Sequence, residues 1–196
     1  MSKDFDEDQV FIAVDIEANG TAPGFNSLLS IGAVATTRDK EISQFYEKLK
    51  PLDELESSPE TMVWWQTQPE AWAEVTANAR PAAEVITDFL TWVTQYKKPA
   101  FVAHPTVFDY AFIEWYLTKF TNKTPFKSNE KGVFWMNVLD LQSYISGKFG
   151  LSIFSAHRKN MPAWMQQGMP EHTHNALDDA RGYGVILRNV LKKETS

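Results

Sequence analysis

The chain has 196 residues, 43% of them hydrophobic and 13% aromatic, with seven Trp; that is enough apolar material for a sizeable core and too much for a disordered chain. A formal net charge of −6 excludes a protein that coats long nucleic acid by charge alone, but not a narrow site that grips one strand end through metal ions. With no Cys in the sequence, disulfides, thiolate catalysis and zinc–thiolate sites are excluded.

The opening "MSKDFDEDQV" is acidic and polar, the wrong composition for a signal peptide. Residues 1–8 are expected to be a flexible acidic tail ahead of a single domain over 9–196. No apolar run approaches the roughly 18 residues that a membrane span needs, so the expectation is a soluble, cytoplasmic protein with no membrane partner.

Three β-rich runs come first, at 10–17, 28–37 and 43–50, separated by the turn-like "NGTAPG" and "RDKE". They predict an antiparallel meander. A helical stretch follows over 60–96, with Pro69 and Pro81 marking new helix starts. "AFVAH" (100–104) reads as a short buried strand, followed by a helix from Thr106 to Phe120. A strand over 134–140 leads into a helix at 140–148, and 150–173 is irregular and rich in Met, Pro and Gly. The last helix runs from Ala176 to Lys192. Leading strands followed by alternating helices and strands give an α/β fold: a mixed five-stranded sheet, its first three strands antiparallel, flanked by helices.

Asp15 and Glu17 end the first strand, in "VFIAVDIEANG". Residues i and i+2 of a strand share a face, so the two carboxylates project together from the end of an otherwise apolar run. An Asp-x-Glu triplet is weak by itself, and two solvated acids at an exposed strand end would look the same. The helix "TVFDYAFIEWYLTKF" offers a third acid, because Asp109 falls within the apolar stripe of Phe112, Ile113, Tyr116 and Phe120. A carboxylate favoured by the helix dipole would account for Asp109 alone. In "HNALDDARGYGVILRNVL" the apolar arc has Asp179 on its edge, while Asp178 points toward Arg181 and Asn189. His174 stands five residues before Asp179, ahead of the helix; alone it would pass for a capping or surface residue, as would His172. Four inward acids from three elements and one His at the same mouth match a site for hard divalent cations, Mg²⁺ or Mn²⁺, and for two-metal phosphoryl transfer.

These motifs resemble those of the DEDDh exonucleases, an RNase H-like family that includes polymerase proofreading subunits, oligoribonuclease and RNase T. Asp15 and Glu17 match its first motif, "VFDYAFI" at Asp109 its second, and His174 with Asp179 its third, His-x(4)-Asp. The chain departs from the family in having Ala18-Asn19 where many members have Thr after the first motif, and Pro105 where many have Asn. The resemblance implies a 3′–5′ exonuclease acting on the 3′ end of single-stranded DNA or RNA. It further implies two Mg²⁺ (or Mn²⁺) ions held by Asp15, Glu17, Asp109 and Asp179, with His174 as general base. Ile16, Ala18, Asn19 and Phe108 are then candidate substrate contacts, and a homodimer is left open. A non-catalytic or weakly catalytic polymerase-associated subunit of the same fold, and endonucleolytic cleavage, are the competing readings. In 150–173, His157, Arg158 and Lys159 are candidates for phosphate contact and Trp164 for base stacking, on a segment that could act as a lid. The pair Trp64-Trp65 reads as helix packing.

Overall fold

The computed structural model describes residues 9–126, 132–134, 138–171 and 173–194; the expected tail over 1–8 lies outside them. Three strands open the chain, β1 (Phe11–Ala18), β2 (Leu28–Thr36) and β3 (Glu41–Lys48), followed by helices α1 (Pro59–Gln66), α2 (Pro69–Thr76) and α3 (Ala82–Val93). Pro69 occupies the first position of α2 and Pro81 stands directly before α3, because a fixed φ and a missing N–H cost nothing at a helix start. Then come β4 (Ala100–Ala103), α4 (Thr106–Thr121), β5 (Thr124–Phe126), β6 (Gly132–Phe134), β7 (Leu139–Asp140), α5 (Leu141–Phe149) and α6 (Ala176–Lys192).

The main sheet has the order β3-β2-β1-β4-β7. β1 pairs antiparallel with β2 and parallel with β4, while β2–β3 is antiparallel and β4–β7 parallel. The expected mixed sheet with a leading antiparallel meander is therefore present. The single strand expected over 134–140 is instead two short pieces, β6 and β7, with 135–137 outside the described residues. β6 pairs with β5 in a separate two-stranded sheet. Strands of two and three residues are shorter than the period a sequence pattern needs to show itself.

The central strand β1 is covered on both faces. Ile12, Val14, Ile16 and Ala18 lie in one core with Val85, Ile86 and Phe89 of α3 and Phe112, Ile113 and Tyr116 of α4. Phe11 and Ala13 lie in the other core, with Tyr183, Ile186, Leu187 and Val190 of α6. By the two-residue period of the strand, Asp15 and Glu17 continue the α6 side.

One glycine sets how close α6 comes. Gly32 of β2 pairs with Asp15, and a Cβ added there would lie 2.1 Å from the carbonyl carbon of Ala176 and 2.3 Å from Leu177 N. Those atoms are backbone of the first turn of α6, which cannot rotate aside. Gly32→Ala is expected to push that turn off the sheet and destabilise the fold by about 1–3 kcal/mol. Thermal unfolding checks this, since each kcal/mol lowers the midpoint of a chain this size by about 2–4 °C.

Candidate active site

Asp15, Glu17 and Asp179 offer carboxylate oxygens that all lie within 4.8 Å of one another. The first two project from the end of β1, and Asp179 descends from the first turn of α6 with only 4% of its surface exposed. Asp178 is half-buried and accepts a hydrogen bond from the Thr173 hydroxyl at 3.0 Å, so it faces outward as its helix position predicts.

Asp109 approaches from the opposite side of the sheet. It sits in the first turn of α4, 2% exposed, and its Oδ1 accepts from Ile16 N at 3.1 Å. The pairing of β1 with β4 ends at Ala13–Val102. Beyond that point Asp109 supplies the acceptor a neighbouring strand would have given, satisfying a buried backbone donor. The same bond holds its carboxylate beside the end of β1, between Asp15 and Glu17 in sequence.

Crowding and poor hydration act together on these groups. Burial, followed by the charges of Asp109, Glu17 and Asp179, raises the Asp15 pKa well above the usual carboxylate range, although Tyr183 opposes the shift by donating from its hydroxyl to Asp15 Oδ1 at 2.8 Å. Burial, then Asp179 and Asp109, pushes Glu17 up to about 8. Asp109 is raised chiefly by burial, with the bond from Ile16 N working against it. Acids whose pKa values are raised in this way lack the positive charge that would let them ionise together.

His174 precedes α6 in a left-handed backbone conformation, φ 56°, a region that residues with a Cβ enter at some cost and that clusters at functional sites. Its ring meets Trp64 edge-on, centroids 5.0 Å apart. Two layers of support hold this corner. Asn175 caps α6 by accepting from Leu177 N at 3.0 Å, and its amide donates to the Tyr46 hydroxyl at 3.2 Å. Tyr46 in turn donates to Glu74 Oε2 at 2.5 Å, and Lys48 pairs with Glu74 Oε1 at 3.1 Å. The Trp pair divides its work: Trp65 is packing, with Nε1 donating to Ala18 O at 3.0 Å, whereas Trp64 is 38% exposed and faces His174.

The candidate substrate contacts fare differently. Asn19 is 3% exposed, its Oδ1 accepts from Ser27 N at 2.6 Å and its Nδ2 donates to Ser57 Oγ at 2.9 Å. It ties the loop after β1 to the segment before α1. Ile16 N is engaged by Asp109 and Ala18 O by Trp65, and both residues are buried. Phe108 is half-buried in the first turn of α4, its ring 5.3 Å from Phe112.

The irregular stretch after α5 is anchored, not loose. Ala156, Met161 and Met165 are buried in the α6-side core, and a 3-10 turn spans Ala163–Gln166. Trp164 packs edge-on against Phe149 at 5.5 Å, half-buried at the border of that core. His157 lies 5.7 Å from the ring of buried His104. Arg158 Nη1 reaches Asp179 Oδ1 at 2.8 Å. The sequence marks Arg158 for phosphate without revealing its carboxylate partner, and Tyr183 reads there only as an apolar-face residue.

Known proteins share this sequence pattern and this fold. The chain is 27% identical over 191 residues to the 3′-5′ DNA exonuclease Cap18 of Escherichia coli, covering 94% of this chain and 92% of that protein. Exonuclease I of Escherichia coli in complex with a dT13 oligonucleotide superposes with a TM-score of 0.64 at 16% identity over 92% of this chain. Exonuclease I of Methylocaldum szegediense gives 0.65 at 16% identity over 93% of this chain. The fold is thus the RNase H-like one, and the chain spans about 40% of the length of these exonuclease I structures. The model of the 3′-5′ exoribonuclease Rv2179c-like domain matches residues 10–191, and the chain belongs to that family.

Proposed function

We propose that the chain is a divalent-metal-dependent 3′–5′ exonuclease that hydrolyses the terminal phosphodiester of a single strand and releases nucleoside 5′-monophosphates. The observation that carries this reading is the convergence of Asp15, Glu17 and Asp179 within 4.8 Å, with Asp109 held against the same strand end. An all-carboxylate donor set, desolvated enough to raise the pKa values of Asp15, Glu17 and Asp109, fits Mg²⁺ or Mn²⁺ better than softer metals. Asp15, Glu17 and Asp179 would hold the metal, with Asp109 contributing from the other side. Bound there, two such ions supply positive charge at the phosphate and make water a stronger nucleophile.

The protein's own groups do the rest. Tyr183 fixes the Asp15 carboxylate by its hydrogen bond, and the Ile16–Asp109 bond fixes the second side of the cage. His174 takes a proton from the attacking water, a task suited to a side chain whose ordinary pKa lies near neutrality. Water oxygen bonds to phosphorus, the bond from phosphorus to the 3′ oxygen breaks, and that oxygen takes a proton from solvent, leaving the shortened strand with a new 3′-hydroxyl. Trp64, 38% exposed on α1 against His174, offers apolar surface for the terminal base, while Phe108 offers an edge from α4.

Phosphate and the 3′ end are common to both nucleic acids, so a DNA-directed relative and an exoribonuclease family are compatible with one site. Linear and circular single strands of DNA and RNA, offered side by side in Mg²⁺ or Mn²⁺, test the reading. Mononucleotides should accumulate from linear strands only. Cutting of the circles would instead establish an endonuclease, and strand retention without any cleavage would establish a binding module.

A further inference from the structure

We propose that Arg158 is a phosphate-binding residue of this site, held on Asp179 in the metal-free chain and released to the substrate phosphate when metal ions take that carboxylate. The inference rests on the metal-dependent reading above.

The guanidinium is not a surface side chain that drifted inward. Its Nη1 lies 2.8 Å from Asp179 Oδ1, with the Arg158 side chain 20% exposed and that of Asp179 5%. The neighbouring chain is fixed on both sides: Ala156 is fully buried, His157 lies against His104, and Met161 is 5% exposed. A packed segment therefore delivers Arg158 to the acid cluster, and the backbone has no need to move for the side chain to swing.

Charge decides where the side chain goes. Arginine keeps its proton at any working pH, so it cannot escape a bound cation by neutralising. Asp179 is one of the three acids whose oxygens converge. Once those carboxylates hold a divalent ion, the guanidinium faces a like charge and competes with it for the Asp179 carboxylate. A phosphate ester arriving at the same ions is the nearest anion, and its oxygens match the planar donor fork. The same residue thus offsets Asp179 while the site waits and grips the phosphate when it is loaded. The role also explains why a partly buried cation sits on one of the acids that would hold the metal: it is a placeholder of lower charge.

The test uses full-length protein and two probes: Mn²⁺ alone, and thymidine 5′-monophosphate at saturating Mn²⁺, both by calorimetry. Arg158→Gln should bind Mn²⁺ about three- to tenfold more tightly, because a competing cation is gone. It should bind the nucleotide about tenfold or more weakly, because a charge-assisted bond is lost. Arg158→Lys should keep near-native Mn²⁺ affinity while still weakening the nucleotide, since the charge remains and the fork does not. A purely structural role would not move the two affinities in opposite directions. Unchanged or weaker Mn²⁺ binding by Arg158→Gln, or unchanged nucleotide binding, overturns the proposal. If Arg158→Gln fails to fold, Arg158→Lys decides by its nucleotide affinity, and a native value overturns the proposal. Wild-type protein that takes up no Mn²⁺ overturns the metal-dependent reading as well. Wild type that binds Mn²⁺ and releases nucleotides, beside Arg158 variants that match it in both affinities, overturns the role of Arg158 alone.

Discussion

Asp15→Asn should lower nucleotide release by about 10³-fold or more and, in EDTA, raise the melting temperature of the protein. Opposite signs arise from one cause. Asp15 is crowded by Asp109, Glu17 and Asp179 and poorly hydrated, which raises its pKa; a carboxylate in that position costs the fold stability it does not return without a cation. The amide keeps an acceptor for the Tyr183 hydroxyl that now bonds Asp15 at 2.8 Å, and its NH₂ can donate to the neighbouring carboxylates. Relief of about 1 kcal/mol would appear as about 2–4 °C. Added Mn²⁺ should stabilise wild type strongly and the variant little, by mass action on the folded state. A variant that is less stable in EDTA and equally stabilised by Mn²⁺ would show that the cluster is not a metal cage.

The same acids give a pH dependence. Glu17 moves from an ordinary value of 4.5 to about 8 in the folded chain, so between those values the native state holds more protons than the unfolded state. Stability of the metal-free protein therefore falls as pH rises through that window. Mn²⁺ stabilisation should grow across the same window, because ligands must lose their protons to bind. Glu17→Gln should flatten both slopes in thermal melts taken from pH 5 to 8.

His174→Ala should cost about 10²–10⁴-fold in the rate of release while leaving the Mn²⁺ stabilisation near its native size. His174 lies outside the group of converging carboxylates, touches Trp64 with its ring, and adopts φ 56°. Because Ala is strained at that φ, His174→Asn is the better control: Asn tolerates the left-handed region but has no imidazole to take a proton. Both variants should be slow and both should be stabilised by Mn²⁺. Full activity in either would remove His174 from the chemistry.

Much of this site was legible in the sequence because buried charge is conspicuous. Asp109 interrupts an apolar stripe, and the helical period separates Asp179 from Asp178; each acid is found buried where that reasoning puts it. What escaped depends on partners distant in the chain. Gly32 is one small residue in a buried strand until α6 lands on it. Tyr183 reads as apolar because only the tertiary fold aims its hydroxyl at Asp15. Asn19 stands beside a motif that binds substrate in the resembled family, yet its amide is taken by Ser27 and Ser57. Trp64 and Trp65 are adjacent and of one type, and only the packing of α1 sends one into the core and the other to His174.

The central claim is tested most directly by a linear single strand labelled at its 3′ end, beside a second labelled at its 5′ end, each incubated with Mg²⁺, with Mn²⁺ and with EDTA. The 3′ label should be released at once as a mononucleotide in either metal, the 5′-labelled strand should shorten stepwise, and neither should happen in EDTA. Intact strands in both metals, or equal release in EDTA, would contradict it.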